Sequence, residues 1–222
     1  RVDQLSSIDL KVSNLENKIS VLNDKLNETA SIISANRLIV CPEIESFVIN
    51  TVKQLGIKNA QFKVSIEQDE HLNLQGKDQV KFLFSANKGA PLQEMSKVAS
   101  GGEVSRLMLA IKALLAKHLN LPSLILDEID TGVSGEIAAK ISKILLEISK
   151  EIQLIVITHL PQVAAKAHFH FKVEKHEVTN KNTTIINLLN ENERLDELAK
   201  MLSGETISLA AIENAKALIS NH

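Results

Sequence analysis

Two apolar runs that each end in polar residues constrain the fold of this chain most. The first, Ser123-Leu-Ile-Leu-Asp127, continues into Glu128, and the second, Leu154-Ile-Val-Ile157, continues into Thr158-His159. Between them, residues 135–150 place Ile and Leu at helical spacing. A strand, a helix and a strand of this length predict a right-handed parallel β-α-β crossover. Both polar tips should then lie at one edge of an α/β sheet, where ligands bind.

The residue types at these tips suit nucleotide hydrolysis. Asp127 can bind a magnesium ion, and Glu128 can stand beside an attacking water. His159, at the next strand tip, can hydrogen-bond a γ-phosphate. The alternative is a solvent-exposed acidic pair and a structural histidine, since each of these is common when it occurs alone.

The segment Ser100-Gly101-Gly102-Glu103 is predicted to open a helix over residues 100–115. Ser100 and Glu103 have the spacing of a capping box. The free amides at a helix N-terminus also bind anions, and glycine lets backbone approach a phosphate closely. The segment is therefore either a helix cap alone or a cap that also binds phosphate.

Residues 1–35 carry a heptad pattern. The seam follows alternating steps of three and four residues, with Thr29 in its one polar register. Its apolar members are Leu5, Ile8, Val12, Leu15, Ile19, Leu22, Leu26 and Ile33. A strict two-position seam is typical of a coiled coil, whereas an ordinary amphipathic helix has a wider apolar stripe. We therefore expect a coiled-coil arm over 1–36 and a globular part over 37–222, with Pro42 able to start or restart a helix.

The remaining patterns predict further elements. Strands are expected over 60–67, 79–85, 169–174 and 183–189, a short helix from Pro161, and terminal helices over 195–202 and 209–219. His168 and His170 share a face of a predicted strand, but no third metal ligand has useful spacing.

Composition excludes several classes of protein. A net charge of −2 gives no global basic signal, and the absence of Trp and Tyr argues against a base-stacking platform. The single Cys41 rules out an internal disulfide framework and suits the cytosol, and no apolar run reaches the length of a membrane span. The sequence also lacks a Gly-x-x-x-x-Gly-Lys-Ser/Thr loop, so the chain alone should not bind ATP well.

Four stretches of the sequence belong together as a pattern. They are Phe82-Leu-Phe-Ser-Ala-Asn87, Lys97-Val-Ala-Ser-Gly-Gly-Glu-Val-Ser-Arg106, Leu126-Asp-Glu-Ile-Asp-Thr-Gly-Val-Ser-Gly135 and Ile157-Thr-His-Leu-Pro-Gln-Val-Ala164. Together they resemble the C-terminal half of the RecN family, the bacterial SMC-like proteins of DNA double-strand-break repair. The similarity spans roughly residues 34–220.

The resemblance implies a role for each candidate site residue. The ABC signature would contact ATP held by another head, in trans. The signature residues are Ser100, Gly101, Gly102 and Glu103. Glu128 would be the catalytic base that orients water, and His159 would be the switch histidine. Asp127 would be the Walker B ligand of magnesium, and Asp130 would belong to the D-loop.

The resemblance also implies an architecture and partners. The chain would be the C-terminal lobe of an ABC/SMC-type P-loop ATPase head, with a largely parallel sheet and flanking helices behind a coiled-coil helix. ATP and Mg2+ would be the cofactors. The partners would be the N-terminal Walker A lobe of the same protein, a second head across ATP, and DNA through the complete protein.

The expected function is ATP hydrolysis by the complete protein in DNA repair and recombination, in the cytoplasm at the nucleoid, with this chain inactive alone. Two alternatives stay open. One is a non-catalytic coiled-coil scaffold with an ABC-like fold, against which Asp127 and Glu128 argue. The other is a transporter nucleotide-binding subunit, against which the heptads argue.

Overall fold

The structure, a computed structural model, describes residues 2–98, 101–119, 121–127, 129, 133, 135–178, 181–204 and 206–220. Six helices and seven strands lie in these ranges, with a short 3-10 helix at Met95–Lys97. In chain order they are α1 Val2–Gln54, β1 Gln61–Asn73, β2 Gly76–Ser85, β3 Gln93–Glu94, α2 Gly101–His118, β4 Ser123–Asp127, α3 Gly135–Ser149, β5 Gln153–Ile157, α4 Pro161–Ala164, β6 Phe171–Val178, β7 Lys181–Leu188, α5 Glu191–Ser203 and α6 Leu209–Ser220.

The chain divides into two compact units. The first contains residues 1–49 and 60–98, and the second contains residues 50–59 and 99–222. The predicted α/β class, with a long helix in front of the sheet-containing part, is confirmed. The parallel pairing lies between β4 and β5, whereas β1-β2-β3 and β6-β7 are antiparallel.

Helix α1 is a single helix of 53 residues that passes through Pro42 rather than restarting there. Proline removes one backbone donor and leaves the carbonyl four residues earlier without its usual partner. That residue is Leu38, which is 60% exposed, so the proline lies on a solvated stretch of the helix. The heptad side chains from Val12 to Leu26 are exposed along this helix, as expected for a coiled-coil seam that packs against a second helix.

A buried carboxylate fastens α1 to the β1-β2 hairpin within the first unit. Asp78, on β2, has no exposed side-chain surface. It accepts hydrogen bonds from the Ser34 hydroxyl at 2.7 Å and from Nη1 of Arg37 at 2.9 Å. The second guanidinium nitrogen of Arg37 donates to the carbonyl of Gln75 at 2.8 Å. The Ser34 hydroxyl, and then Arg37, hold the pKa of Asp78 below its ordinary value.

We expect Asp78→Asn to lower the free energy of unfolding by about 2 kcal/mol, because it keeps the volume but leaves buried donors poorly paired. Since the folded-state pKa of Asp78 is depressed, the stability it contributes is present above the unfolded-state pKa. That stability is lost as the pH falls through the folded-state pKa. Urea unfolding at several pH values measures both effects. The matched control is Asp24→Asn on the exposed surface of α1. Equal stability of the two variants would contradict the prediction.

The second unit is built on the β4-α3-β5 crossover that the sequence predicts. Each residue of β4 pairs in parallel with one of β5, from Ser123 with Gln153 to Asp127 with Ile157. Helix α3 buries one side of itself through Ala138, Ile141, Ser142, Leu145 and Ile148. One face of the two strands stays exposed, with Ile125 61%, Ile155 46% and Ile157 54% accessible.

The C-terminal helices form their own core with the segment after β5. Leu198 and Ala199 of α5 and Ala211 and Ala215 of α6 are buried against Ala164 and Ala165. Among the described residues, no helix combines the length and the apolar character needed to cross a membrane.

Candidate functional site

The ends of β4 and β5 bring two predicted site residues to one edge of the sheet. Asp127 is the last residue of β4 and pairs with Ile157, the last residue of β5. His159 follows two residues later, and both Asp127 and His159 are exposed. A carboxylate at a strand tip is a suitable oxygen ligand for Mg2+. Asp127 and the residues just before His159 therefore lie at the C-terminal edge of the two strands, which is the edge where α/β sheets bind ligands.

The turn that carries His159 is held by hydrogen bonds between residues close in sequence. The amide of Leu160 donates to the Thr158 hydroxyl at 3.0 Å. The carbonyl of Leu160 accepts from the amides of Val163 and Ala164, each at 3.1 Å. Pro161 occupies the first position of α4, where a missing N–H costs nothing. The histidine thus stands on a turn that leads directly into a single helical turn.

The signature glycines lie on a different element, at the start of α2. Nε of Arg106 donates to the carbonyl of Gly102 at 2.9 Å, and Nη1 of Arg106 donates to the carbonyl of Leu55 at 3.1 Å. The first turn of α2 is therefore fastened to the end of α1. A Cβ built on Gly101 would meet no heavy atom within 4 Å. The helix entry consequently presents an open surface to an incoming group.

Several predicted residues cannot be placed. Ser100, Glu128 and Asp130 lie outside the described residues, and so does the Ser100 half of the predicted capping box with Glu103. Within the described ranges, no group of three or more His, Cys, Asp or Glu side chains is arranged to hold a metal ion. The predicted metal ligand, Asp127, has a described position. The catalytic and binding roles of Asp127, Ser100, Glu128 and Asp130 stay predictions.

Sequence reasoning missed two arginines. Arg106 lies within a motif whose other residues have predicted roles, and a long cation one turn after a helix start can reach back to that turn. Arg194 has no sequence signal, because a basic residue in a largely acidic helix is common on a solvated surface. It donates to the carbonyls of Ala165 at 2.7 Å and Ala167 at 2.6 Å.

His170 shows why the considered His168–His170 metal site is unsupported. Burial is the largest cause that lowers the pKa of His170, and the positive charge of Arg194 acts in the same direction. The carboxylate of Glu197 opposes them. The positive charge of Arg194 would also repel a metal ion bound at His170, which makes this a poor place for a further cation.

The sequence of the chain is similar to those of known proteins of one family. No protein-family model matches the chain. The chain is 41% identical over 221 residues to the DNA repair protein RecN of Rickettsia conorii, and 37% identical over 220 residues to that of Vibrio cholerae. These alignments cover 98% and 99% of the chain but 40% of each relative.

Solved structures of low sequence identity agree on the fold. The Smc head domain of Pyrococcus yayanosii, solved with a coiled coil and joint, has a TM-score of 0.58 at 18% identity. The alignment covers 72% of this chain and 29% of that one. A second structure, from the SMC ATPases for which ATP-driven dimerisation and DNA-stimulated activation are described, has a TM-score of 0.50 at 16% identity. This second alignment covers 77% of the present chain and 99% of the chain in the solved structure. The chain therefore belongs to the RecN family, and it spans about two fifths of the length of its curated relatives.

Proposed function

We propose that this chain supplies one half of an ATP-hydrolysing head to a DNA-repair protein. The observation that carries the proposal is the parallel register of β4 and β5, which sets Asp127 and His159 at one sheet edge. Bound ATP with Mg2+ would supply the phosphoryl group to be transferred to water. Asp127 would hold the metal ion, and His159 would hydrogen-bond the terminal phosphate. Glu128, by its place in the sequence, would orient the water.

The exposed face of β4 and β5 supports an N-terminal lobe as partner. Parallel strands normally have both faces covered. Here Ile125, Ile155 and Ile157 leave an apolar face open, and the relatives contain a further 60% of sequence that this chain does not match. We infer that the missing lobe, which would carry the phosphate-binding loop, packs on this face.

Two exposed features support the other proposed partners, a second coiled-coil helix and a second head. These features are the heptad seam of α1 and the surface around Gly101 at the start of α2. The seam from Val12 to Leu26 needs a second helix, which another part of the complete protein would provide. The open surface at Gly101 suits contact with ATP on a second head. Binding to DNA and a cytoplasmic, nucleoid-associated location belong to this proposal for the complete protein.

We expect the purified chain alone to release no phosphate from ATP, because it has no phosphate-binding loop. The complete protein should hydrolyse ATP in the presence of Mg2+. A phosphate-release assay on both proteins, at equal concentration, makes the comparison. Turnover by the chain alone that disappears in Glu128→Gln would contradict the expectation. A complete protein that supports DNA repair but hydrolyses no ATP would instead favour the scaffold alternative.

A further inference from the structure

Helix α4, which follows the His159 turn, is too short to hold its own position. It has four residues, Pro161–Ala164, and isolated helices of this length are unstable in water. Its first carbonyl is tied to its last turn, since the amide of Ala165 donates to the carbonyl of Pro161 at 2.9 Å. Hydrogen bonds thus link the segment from Leu160 to Ala165 to the turn that carries His159. A group that holds the far end of this segment is therefore in a position to influence the direction of His159.

Arg194 is the charged group that binds this far end. Its Nη2 donates to the carbonyls of Ala165 and Ala167 at 2.7 Å and 2.6 Å, and lies 3.5 Å from that of Ala164. The two short contacts use both hydrogens of this nitrogen, so the third adds little. Hydrogen bonds from a charged donor are stronger than neutral ones. The guanidinium thus holds the carbonyls at the C-terminal end of α4 and just beyond it.

Arg194 is itself mounted on a rigid element. Helix α5 begins with a capping box, in which Asn190 accepts from the amide of Glu193 and the Glu193 carboxylate accepts from the amide of Asn190. Glu197 accepts from Lys172 on β6 at 2.9 Å, and Leu198 is fully buried. A group on a helix anchored in this way can set the position of a neighbouring turn accurately.

We propose that Arg194 is a positioning residue for ATP hydrolysis, which acts by holding the His159 turn through the carbonyls beyond α4. This inference rests on the proposed function, since it assumes that His159 contacts the nucleotide. The competing explanation is that α4 stays in place through its apolar contacts alone, because Pro161, Val163 and Ala164 are buried. In that case Arg194 would contribute only to stability.

The test uses the complete protein with Arg194→Ala and Arg194→Lys, and Lys200→Gln as a control that removes a charge from the exposed side of the same helix. A small displacement of a catalytic group can cost up to about a hundredfold in rate, and we expect Arg194→Ala to lower kcat about tenfold. KM for ATP should change less than about twofold, because binding depends chiefly on the phosphate loop. Lysine retains donors for the carbonyls, so Arg194→Lys should recover part of the lost kcat.

A second readout separates this inference from the proposed function. Hydrogen exchange of the amides of residues 163–165 should speed up in Arg194→Ala and stay unchanged in Lys200→Gln, whether or not the protein hydrolyses ATP.

Three results would overturn the inference: unchanged hydrogen exchange in Arg194→Ala, an unchanged kcat in that variant, or a KM for ATP that rises by as much as kcat falls. Failure of both Arg194 variants to fold would also overturn it, because it would make the residue purely structural. Absence of ATPase activity in the unmodified complete protein would count against the proposed function instead, while the exchange data would still decide whether Arg194 holds α4.

Discussion

Glu128→Gln in the complete protein should bind ATP normally and lose hydrolysis by a factor on the order of a hundred to ten thousand, the usual contribution of a catalytic acid or base. The substitution keeps the shape of the side chain but removes the carboxylate that would orient water. Asp127, one residue earlier, ends β4 and stays intact in this variant. The variant should therefore collect in an ATP-bound state with its heads engaged.

Three measurements check this expectation: phosphate release, equilibrium binding of ATP, and ATP-dependent change in mass. The matched control is Glu147→Gln on α3, where the carboxylate is exposed and pairs with Lys150 at the surface. Such exposed pairs contribute little to stability. Turnover within a few-fold of the unmodified protein would mean that another group orients the water. Loss of ATP binding in a folded variant would give Glu128 a part in binding instead.

The elements that the sequence predicts correctly are those with local periodic signals. β4, α3 and β5 each show a strand or helix period of their own, and their order specifies a parallel crossover. The heptads predict a helix from the first residues, but they do not show that it runs through Pro42 to Gln54. A proline is compatible both with a helix start and with a continued helix, and the apolar period does not distinguish the two.

The contacts that sequence reasoning could not supply are long-range and polar. Asp78 meets Ser34 and Arg37 from more than 40 residues away, and Arg194 meets carbonyls about 30 residues earlier. Backbone carbonyls carry no side-chain signature, so their partners cannot be read from residue types. The positions of Asp127 and His159 at one edge were predictable because strand order alone determines them.

Gly101→Asp should leave the fold and single-head ATP binding intact while it abolishes engagement of two heads. A Cβ at Gly101 meets no heavy atom within 4 Å, so this chain itself accommodates the larger residue. If the signature binds ATP in trans, the new carboxylate would face a phosphate group at the interface. Two like charges 4 Å apart in a partly shielded site repel by roughly 4 kcal/mol, which corresponds to about a thousandfold weaker engagement.

Gly101→Ala is the matched variant that separates size from charge, since it adds a methyl group without a carboxylate. We expect Gly101→Ala to weaken engagement less than Gly101→Asp, because it hinders close approach of the backbone without charge repulsion. ATP binding is measured at low protein concentration, where heads stay apart, and ATP-dependent mass at high concentration. Loss of ATP binding in a folded single head would place the signature in cis. Normal dimers and normal turnover in Gly101→Asp would reduce the segment to a helix cap, since a carboxylate beside phosphate cannot be neutral to binding.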